Sequence, residues 1–308
     1  MGSPQKILLL GCNGQVGWQL QRSLSLLGDV VALGSSPHAN PEGLCGDFTK
    51  LQALAKTVRL LAPTVIVNAA AYTAVDGAES EPDRARMINA LAPGVLAAEA
   101  QSLGAWLVHY STDYVFDGSG FTESREDNVC APLSTYGRTK LEGELAVRTC
   151  TKHLIFRTSW VYSARGSNFA RTILRLAAER ETLTVVDDQI GAPTSADLLA
   201  DVTAHALRSV LAQPDLAGTY HCVAAGHTSW RAYAQYVLTQ AALMGAPLQC
   251  NADRVLATTT DQYPTAAQRP LNSRLDTQKL QLAFSLHLPH WQIGVRRMLQ
   301  EILGASSA

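Results

Sequence analysis

Short apolar runs separated by longer amphipathic stretches organise the first half of the chain. Residues 6–10, 30–33, 65–67, 106–109 and 153–156 are rich in Val, Ile and Leu, and each run is followed by turn or polar residues. Near-continuous apolar runs of this length fit strands buried on both faces of a parallel sheet. A sixth run, 183–186, is a candidate to extend it. Between the runs, apolar positions recur at helical spacing over 15–27, 82–103 and 132–149. Strand and helix in alternation, joined by right-handed crossovers, predict an α/β fold: a doubly wound parallel sheet with helices on both faces.

Beyond about residue 160 the pattern is less regular. Helical stretches at 168–179, 196–212 and 229–244 alternate with short strands and Pro-containing loops, and a tail helix spans 291–303. No internal repeat, low-complexity tract or long linker interrupts the chain. At 308 residues it exceeds one typical domain. The expected organisation is a core over 4–160, open to completion by later segments, and a smaller C-terminal α/β portion over 161–304 packed directly on it. A cleft between the two is the default ligand site.

Charge removes several classes of partner. With 25 Lys and Arg against 26 Asp and Glu, there is no basic excess to neutralise a phosphate backbone or an anionic bilayer. Neither nucleic acid nor membrane is an expected partner. The six cysteines show no CxxC pair and no zinc-ligand spacing, so they read as small apolar residues in a reducing compartment, and no metal site is expected from them. No uninterrupted apolar run reaches the roughly 18 residues of a membrane span, and no secretory signal precedes the first strand. The expected location is the cytoplasm. Met1-Gly2 invites a myristoylation reading, but that motif needs Ser or Thr where Lys6 stands, so the first residues read as a start codon with an expression remnant.

Directly after the first strand comes Gly11-Cys12-Asn13-Gly14-Gln15-Val16-Gly17, with a helix beginning inside it. Strand, glycine turn and helix in this order suit a dinucleotide on a Rossmann-type fold. Gly11 allows the tight turn, Gly14 lets backbone amides approach a pyrophosphate, and Gly17 permits the helix to pack closely on the strand. Asn13, Gln15 and Val16 complete a helix N-terminus that faces the phosphates. After the second strand, where Asp or Glu would hold a ribose 2′-hydroxyl, the chain has Gly34-Ser35-Ser36. With no carboxylate to repel a 2′-phosphate, the turn favours NADPH. No adjacent Arg clamps that phosphate, so NADH also remains open, and Ser35 is either a hydrogen-bond donor to the cofactor or a plain loop residue.

The second constellation is Tyr136-Gly137-Arg138-Thr139-Lys140 on a helix, preceded by Ser111-Thr112-Asp113 at the end of a strand. Tyr and Lys at i and i+4 share a helical face. An ammonium there stabilises a phenolate and lowers its pKa, which makes Tyr136 a proton donor, while Thr112 hydrogen-bonds the substrate oxygen or the tyrosine. A YxxxK alone is common on solvated helices. Its force comes from following the glycine turn and Asn68-Ala69-Ala70-Ala71, whose small side chains let a cofactor approach the backbone.

The GxxGxxG spacing, the alanines, Ser/Thr and YxxxK in this order resemble the extended short-chain dehydrogenases/reductases. Gly46-Asp47-Phe48, Asn68 to Asp76, Ser111 to Phe116, Arg157 to Tyr162, Asp188-Gln189, Gly191-Ala192-Pro193-Thr194 and Arg269-Pro270-Leu271-Asn272-Ser273 together resemble the dTDP-4-dehydrorhamnose reductase family over nearly the whole chain. The resemblance implies reduction of the 4-keto group of dTDP-4-dehydro-L-rhamnose to dTDP-L-rhamnose. It makes Tyr136 the acid, Lys140 its modulator and a cofactor ligand, and Thr112 the residue that tunes the tyrosine. It puts Asp113 and Trp160 at the sugar and Asp47 and Phe48 near the adenine. The competing readings are a loop-capping Asp113 and a core Trp160. A related dehydratase resembles a Thr-Asp-Glu pattern, and Tyr114 in place of that glutamate removes an acid/base partner for water loss.

The family is also associated with a magnesium-bridged homodimer built on an acidic residue of the first helix. That position is Gln19 here, a poorer Mg2+ ligand than a carboxylate, although Asp197 and Glu301 remain. A homodimer stays open as an assembly, and Gln19 argues against its metal bridge. Two rival functions stay open: a non-catalytic, cofactor-binding regulatory subunit resembling that of methionine adenosyltransferase, and a nucleotide-sugar epimerase that retains NAD.

Overall fold

In the computed structural model, which describes residues 5–304 apart from positions 37 and 39, six parallel strands form the central sheet. Five are the expected ones: β1 (Gln5–Leu10), β2 (Gly28–Leu33), β3 (Val65–Asn68), β4 (Trp106–Thr112) and β5 (His153–Thr158). The sixth is Gly218–His221, which pairs in parallel with β5. The run 183–186 does not extend this sheet; Leu183–Val186 pairs with Val255–Thr258 in a separate two-stranded parallel sheet. Its apolar side chains serve the core of the C-terminal half, so composition alone could not assign it. The first residues, including position 4 of the expected core and Met1-Gly2, lie outside the described residues.

Side-chain alternation shows why the runs are apolar throughout. Ile7 and Leu9 of β1 point to one face with Val65, Val67, Val108 and Phe156, and meet Leu20 and Leu24 of α1 (Gln15–Leu24) and Leu199 and Val202 of the helix Ala196–Ala212. Leu8 and Leu10 point the other way with Ile66, Leu107 and Ile155, onto Leu54 and Val58 of Leu51–Leu61 and Leu96 of Ala92–Leu103. Both faces are dry, as a parallel sheet requires. A third core, around Tyr162, Ile173, Leu183, Tyr233, Val237 and Trp291, belongs to the C-terminal half.

Two departures from the expected helices bear on the placement of Tyr136 and Lys140. The stretch 82–103 is interrupted by a π-turn over Met87–Leu91, which carries the buried Asn89. The stretch 132–149 narrows to Thr135–Val147, whose N-cap is Ser134, accepting from the Gly137 amide at 3.2 Å. The Glu79 carboxylate accepts from both the amide and the hydroxyl of Thr135, each at 2.7 Å.

The strand order is Gly218–His221, β5, β4, β3, β1, β2. The order of travel across the sheet reverses between β1 and β3, and the crevice beyond the carboxyl ends of these two strands is where such sheets bind ligands. The helix Thr135–Val147 is fastened to β5 by Arg157, which bonds both oxygens of Glu144 at 2.9 and 2.8 Å. Both side chains are almost completely buried. Leaving one such charge without its partner is costly. Glu144→Leu is expected to lower unfolding stability by about 3–5 kcal/mol, read from urea midpoints. Adding Arg157→Met should recover part of that loss, because the guanidinium is then no longer buried without its carboxylate.

Candidate active site

The turn after β1 is built by close backbone approach. Gly11 has φ +82°, and a Cβ there would lie 2.6 Å from the Ala70 nitrogen. A Cβ on Gly17 would lie 2.0 Å from the Gly11 carbonyl oxygen, so Gly17 packs the first helical turn on the turn backbone itself, and not on the strand as the sequence suggested. The amides of Gly11 and Cys12 donate to the Leu33 carbonyl at the end of β2, and the Ala69 amide donates to Leu10. Three strand ends are thereby drawn to one point.

Two neighbouring cavities open there. One, of about 330 Å³, is lined by Gly11, Asn13, Gly14, Ser35, Asp47, Phe48, Ala69, Ala70 and Ala71. Arg84 lines it as well, arriving from a helix some fifty residues beyond Ser35 in the chain. No cation adjacent to Gly34-Ser35-Ser36 announced it in the sequence. The other, of about 430 Å³, is lined by Gly14, Gln15, Val16, Ala69 and Ala71 on one side and by Thr112, Asp113, Tyr136, Lys140 and Trp160 on the other. Of the residues assigned to the site from the sequence, Gly17 alone lines neither cavity.

Within the larger cavity the polar groups are deeply buried. The Thr112 hydroxyl donates to Asp113 at 2.9 Å and accepts from the Tyr114 amide at 3.2 Å, beside the Tyr136 phenol. Burial pushes the Tyr136 phenol up to about 12, against the pull of the Thr112 hydrogen bond and with the Asp113 charge adding to the rise. The expected lowering of this pKa is therefore not found in the protein alone. Desolvation dominates, and the Lys140 ammonium donates to the Tyr110 carbonyl at 2.5 Å. Desolvation brings Lys140 itself down to about 8, with Glu144 one turn away opposing the fall.

Asp113 is raised to about 6 by burial, against the opposing pull of the Ser273 and Thr112 hydroxyls. Its second oxygen has no partner, and neither have the hydroxyls of Ser111 and Thr158. Unpaired buried polar atoms are rare in folded proteins. All three residues line the cavity, so its wall carries polar groups that the fold itself leaves without partners.

Several contacts were not legible beforehand. Asn89 accepts from the Tyr72 amide at 2.9 Å and donates to the Tyr72 carbonyl and to Thr139, tying the loop after β3 to the helix of Tyr136 and Lys140. A polar residue inside the apolar stretch Met87-Ile88-Asn89-Ala90-Leu91 was the available signal. Arg269 pairs with Asp76 through two hydrogen bonds, at 3.1 and 2.6 Å, joining the late segment to the loop after β3. Trp160 has φ +48°, an unusual conformation for a bulky residue, and its indole stacks on Trp230 with centroids 3.6 Å apart and planes 12° from parallel. Trp230 also lines the cavity, and nothing in its local sequence marked it.

Among the described residues no group of three or more His, Cys, Asp and Glu could hold a metal ion. None of their helices is long and apolar enough to cross a membrane.

A Rossmann-type sheet with a glycine turn at its switch point, facing buried Thr and Lys and a half-buried Tyr across one cavity, defines a nicotinamide-dependent reductase of the extended short-chain class. The family model described as the RmlD substrate binding domain matches residues 5–303. A dTDP-4-dehydrorhamnose reductase of Escherichia coli K12 is 54% identical over 297 residues, covering 96% of this chain and 97% of that one. A crystal structure of dTDP-4-dehydrorhamnose reductase from Bacillus anthracis in complex with NADP matches with a TM-score of 0.84 at 35% identity, covering 97% of this chain and 99% of the other. One of an orthologue from Clostridium acetobutylicum matches with a TM-score of 0.85 at 34% identity, covering 96% and 99%. The chain belongs to the dTDP-4-dehydrorhamnose reductase family.

The Asp113 environment carries a stability cost. Raising its pKa from 3.8 to about 6 corresponds to about 3 kcal/mol against folding with the carboxylate ionised. Because the folded-state pKa is the higher one, this cost is full above pH 6 and disappears as pH falls below the unfolded value near 4. Asp113→Asn should therefore melt a few degrees higher than wild type at pH 7, with the advantage gone by pH 4, in a scanning-calorimetry series.

Proposed function

We propose that the chain reduces the 4-keto group of dTDP-4-dehydro-L-rhamnose to dTDP-L-rhamnose with NADPH, accepting NADH as a second donor. The observation that carries this reading is the single cavity in which the Gly14–Val16 turn and the Thr112, Tyr136 and Lys140 side chains face one another. The family relationship supports the substrate, and the NADP complex of the Bacillus anthracis relative supports the cofactor. The residues fit a dinucleotide: a turn drawn tight by Gly11 and Gly17, where any Cβ would collide, and a small-residue wall at Ala69 to Ala71. The working division is a dinucleotide portion over 4–160, completed by Ala196–Ala212 and Gly218–His221, with the rest of 161–304 serving the substrate.

When bound, the reduced nicotinamide supplies a hydride to the keto carbon. Tyr136, protonated at working pH because its pKa is high, gives its phenolic proton to the keto oxygen. Thr112, turning its one hydroxyl proton from Asp113 to the keto oxygen, holds that oxygen beside the phenol. The Lys140 ammonium stabilises the phenolate that remains. Asp113 accepts from sugar hydroxyls through the oxygen that otherwise lacks a partner, and the Trp160 indole offers an apolar face to the deoxy sugar. Gly11, Asn13, Gly14, Gln15 and Val16 receive the pyrophosphate, with Gly17 supporting the turn beneath. Ser35, Asp47 and Phe48 take the adenosine end. An adjoining cavity of about 420 Å³, lined by Phe169, Val185, Val186, Tyr263 and Arg269, suits a base and its diphosphate. The chain acts in the cytoplasm as a homodimer without a magnesium bridge, since Gln19 offers only a neutral amide.

A non-catalytic subunit would have no use for a Tyr and a Lys sharing one cavity with the cofactor turn, and nothing in the geometry favours the epimerase.

Oxidation of NADPH and of NADH at 340 nm, with enzymatically generated dTDP-4-dehydro-L-rhamnose, tests the proposal. Sugar-dependent turnover is expected, faster with NADPH; its absence in a cofactor-binding protein would refute it. Tyr136→Phe should remove turnover and leave cofactor affinity nearly unchanged, and retained turnover would exclude Tyr136 as the acid.

The pH profile follows from two groups. Below about 6 Asp113 is protonated and stops accepting, so KM for the sugar should rise; above about 8 Lys140 loses its charge, so kcat should fall. A profile flat from pH 5 to 9 would contradict both assignments.

A further inference from the structure

The Trp160–Trp230 stack sits at the boundary between two cavities. Trp230 lines both the one that holds Tyr136 and Lys140 and the adjoining one lined by Phe169, Val185 and Tyr263. Among the described residues three non-glycine positions have positive φ, and two of them, Ala62 and Ser285, are ordinary helix C-caps. Trp160 ends no helix. Its left-handed backbone must be held by contacts, and the structure shows which ones.

The Trp230 indole lies flat on that of Trp160, and a Cβ on Gly191 would come within 2.6 Å of the Trp160 ring. Only a glycine leaves room for the ring in this position. Trp230 is itself fixed. It opens the helix Trp230–Leu243 directly after its cap Ser229, its Nε1 donates to Gln189 at 3.1 Å, and Gln189 in turn donates to Thr260 at 3.0 Å. Phe169 packs against the same indole at 4.5 Å between centroids.

We propose that Trp230 is a positioning residue for the reduction. Stacked on Trp160 and tethered to Gln189, it holds the Trp160 indole in a strained backbone conformation as a rigid wall opposite Tyr136. That wall fixes where the ketone of the sugar comes to rest, while the nucleotide occupies the space beyond Trp230. The inference rests on the functional reading above for the identity of the sugar, and on geometry alone for the stack.

The test compares wild type with Trp230→Phe, Trp230→Leu and Gly191→Ala. Each is checked by thermal melting and by fluorescence titration with NADPH, and kcat and KM are measured for dTDP-4-dehydro-L-rhamnose. Trp230→Leu should lose roughly a hundredfold in kcat/KM for the sugar, the scale of a misplacement by an ångström. NADPH affinity should stay within twofold or so of wild type, since the turn and Ala69 to Ala71 are untouched. Trp230→Phe, which keeps an aromatic face against Trp160, should recover most of the loss. Gly191→Ala should show the same split between sugar and cofactor.

Wild-type kcat and KM in Trp230→Leu would overturn the proposal, as would a loss that follows NADPH affinity or that Trp230→Phe does not relieve. Should the wild-type chain not reduce this sugar, that result counts against the functional reading alone. The far-ultraviolet circular-dichroism couplet of two stacked indoles then decides the matter without substrate. A couplet in the wild type that is lost in Gly191→Ala supports the arrangement, and no couplet in the wild type overturns it.

Discussion

The pair formed by Arg157 and Glu144 is the contact on which the arrangement of the site depends. It joins β5 to the helix of Tyr136 and Lys140 in a region closed to water, where the Lys140 ammonium is buried one turn away. Two cations and one carboxylate share a medium that disfavours each of them singly. Arg148 adds a partly exposed third cation to Glu144. Held this way, the helix cannot slide along the sheet without breaking two charge-assisted hydrogen bonds, and the phenol and ammonium it carries keep their height above the strand ends. From the other end, Glu79 fastens the first residue of the same helix and Asn89 its middle.

The cavity has been bought with instability: a carboxylate of raised pKa, two hydroxyls without partners, a tyrosine and a lysine stripped of solvent, and a tryptophan in a left-handed conformation. Each is unfavourable on its own, and all of them border the same space. Such local costs persist only where the surroundings over-determine them. Here the surroundings are the two dry faces of the sheet and the third core under the C-terminal helices.

Much of the fold was legible because its signals are local. A strand buried on both faces is an uninterrupted apolar run, and a glycine turn between strand and helix is a single word of seven residues. The five strands, the turn and the YxxxK helix all belong to this kind. The remainder depended on contacts distant in the chain. Gly218–His221 reads as Gly-Thr-Tyr-His, too short and too polar to announce a sheet strand, and it becomes one because β5 offers it an edge. Leu183–Val186 had the better composition and found a different partner. Trp230, Ser273 and Arg84 reach the site from three separate segments, and no spacing rule connects them to the residues they meet. Of the candidate site, the side facing the turn was therefore readable and the side built from the later segments largely was not.

The sixth strand has a consequence for how the molecule is made. A ribosome delivers the first five strands in order, yet the edge of β5 stays bare until residue 221 has emerged, after more than fifty further residues. During that interval the nascent chain exposes a row of unpaired backbone amides and carbonyls, a template for joining the wrong neighbour. The helix Phe169–Glu179 and the strand Leu183–Val186 are synthesised inside this window and must find their own core without capturing that edge. Val255–Thr258 is made later still, so Leu183–Val186 passes the whole of that window without the strand it finally pairs with.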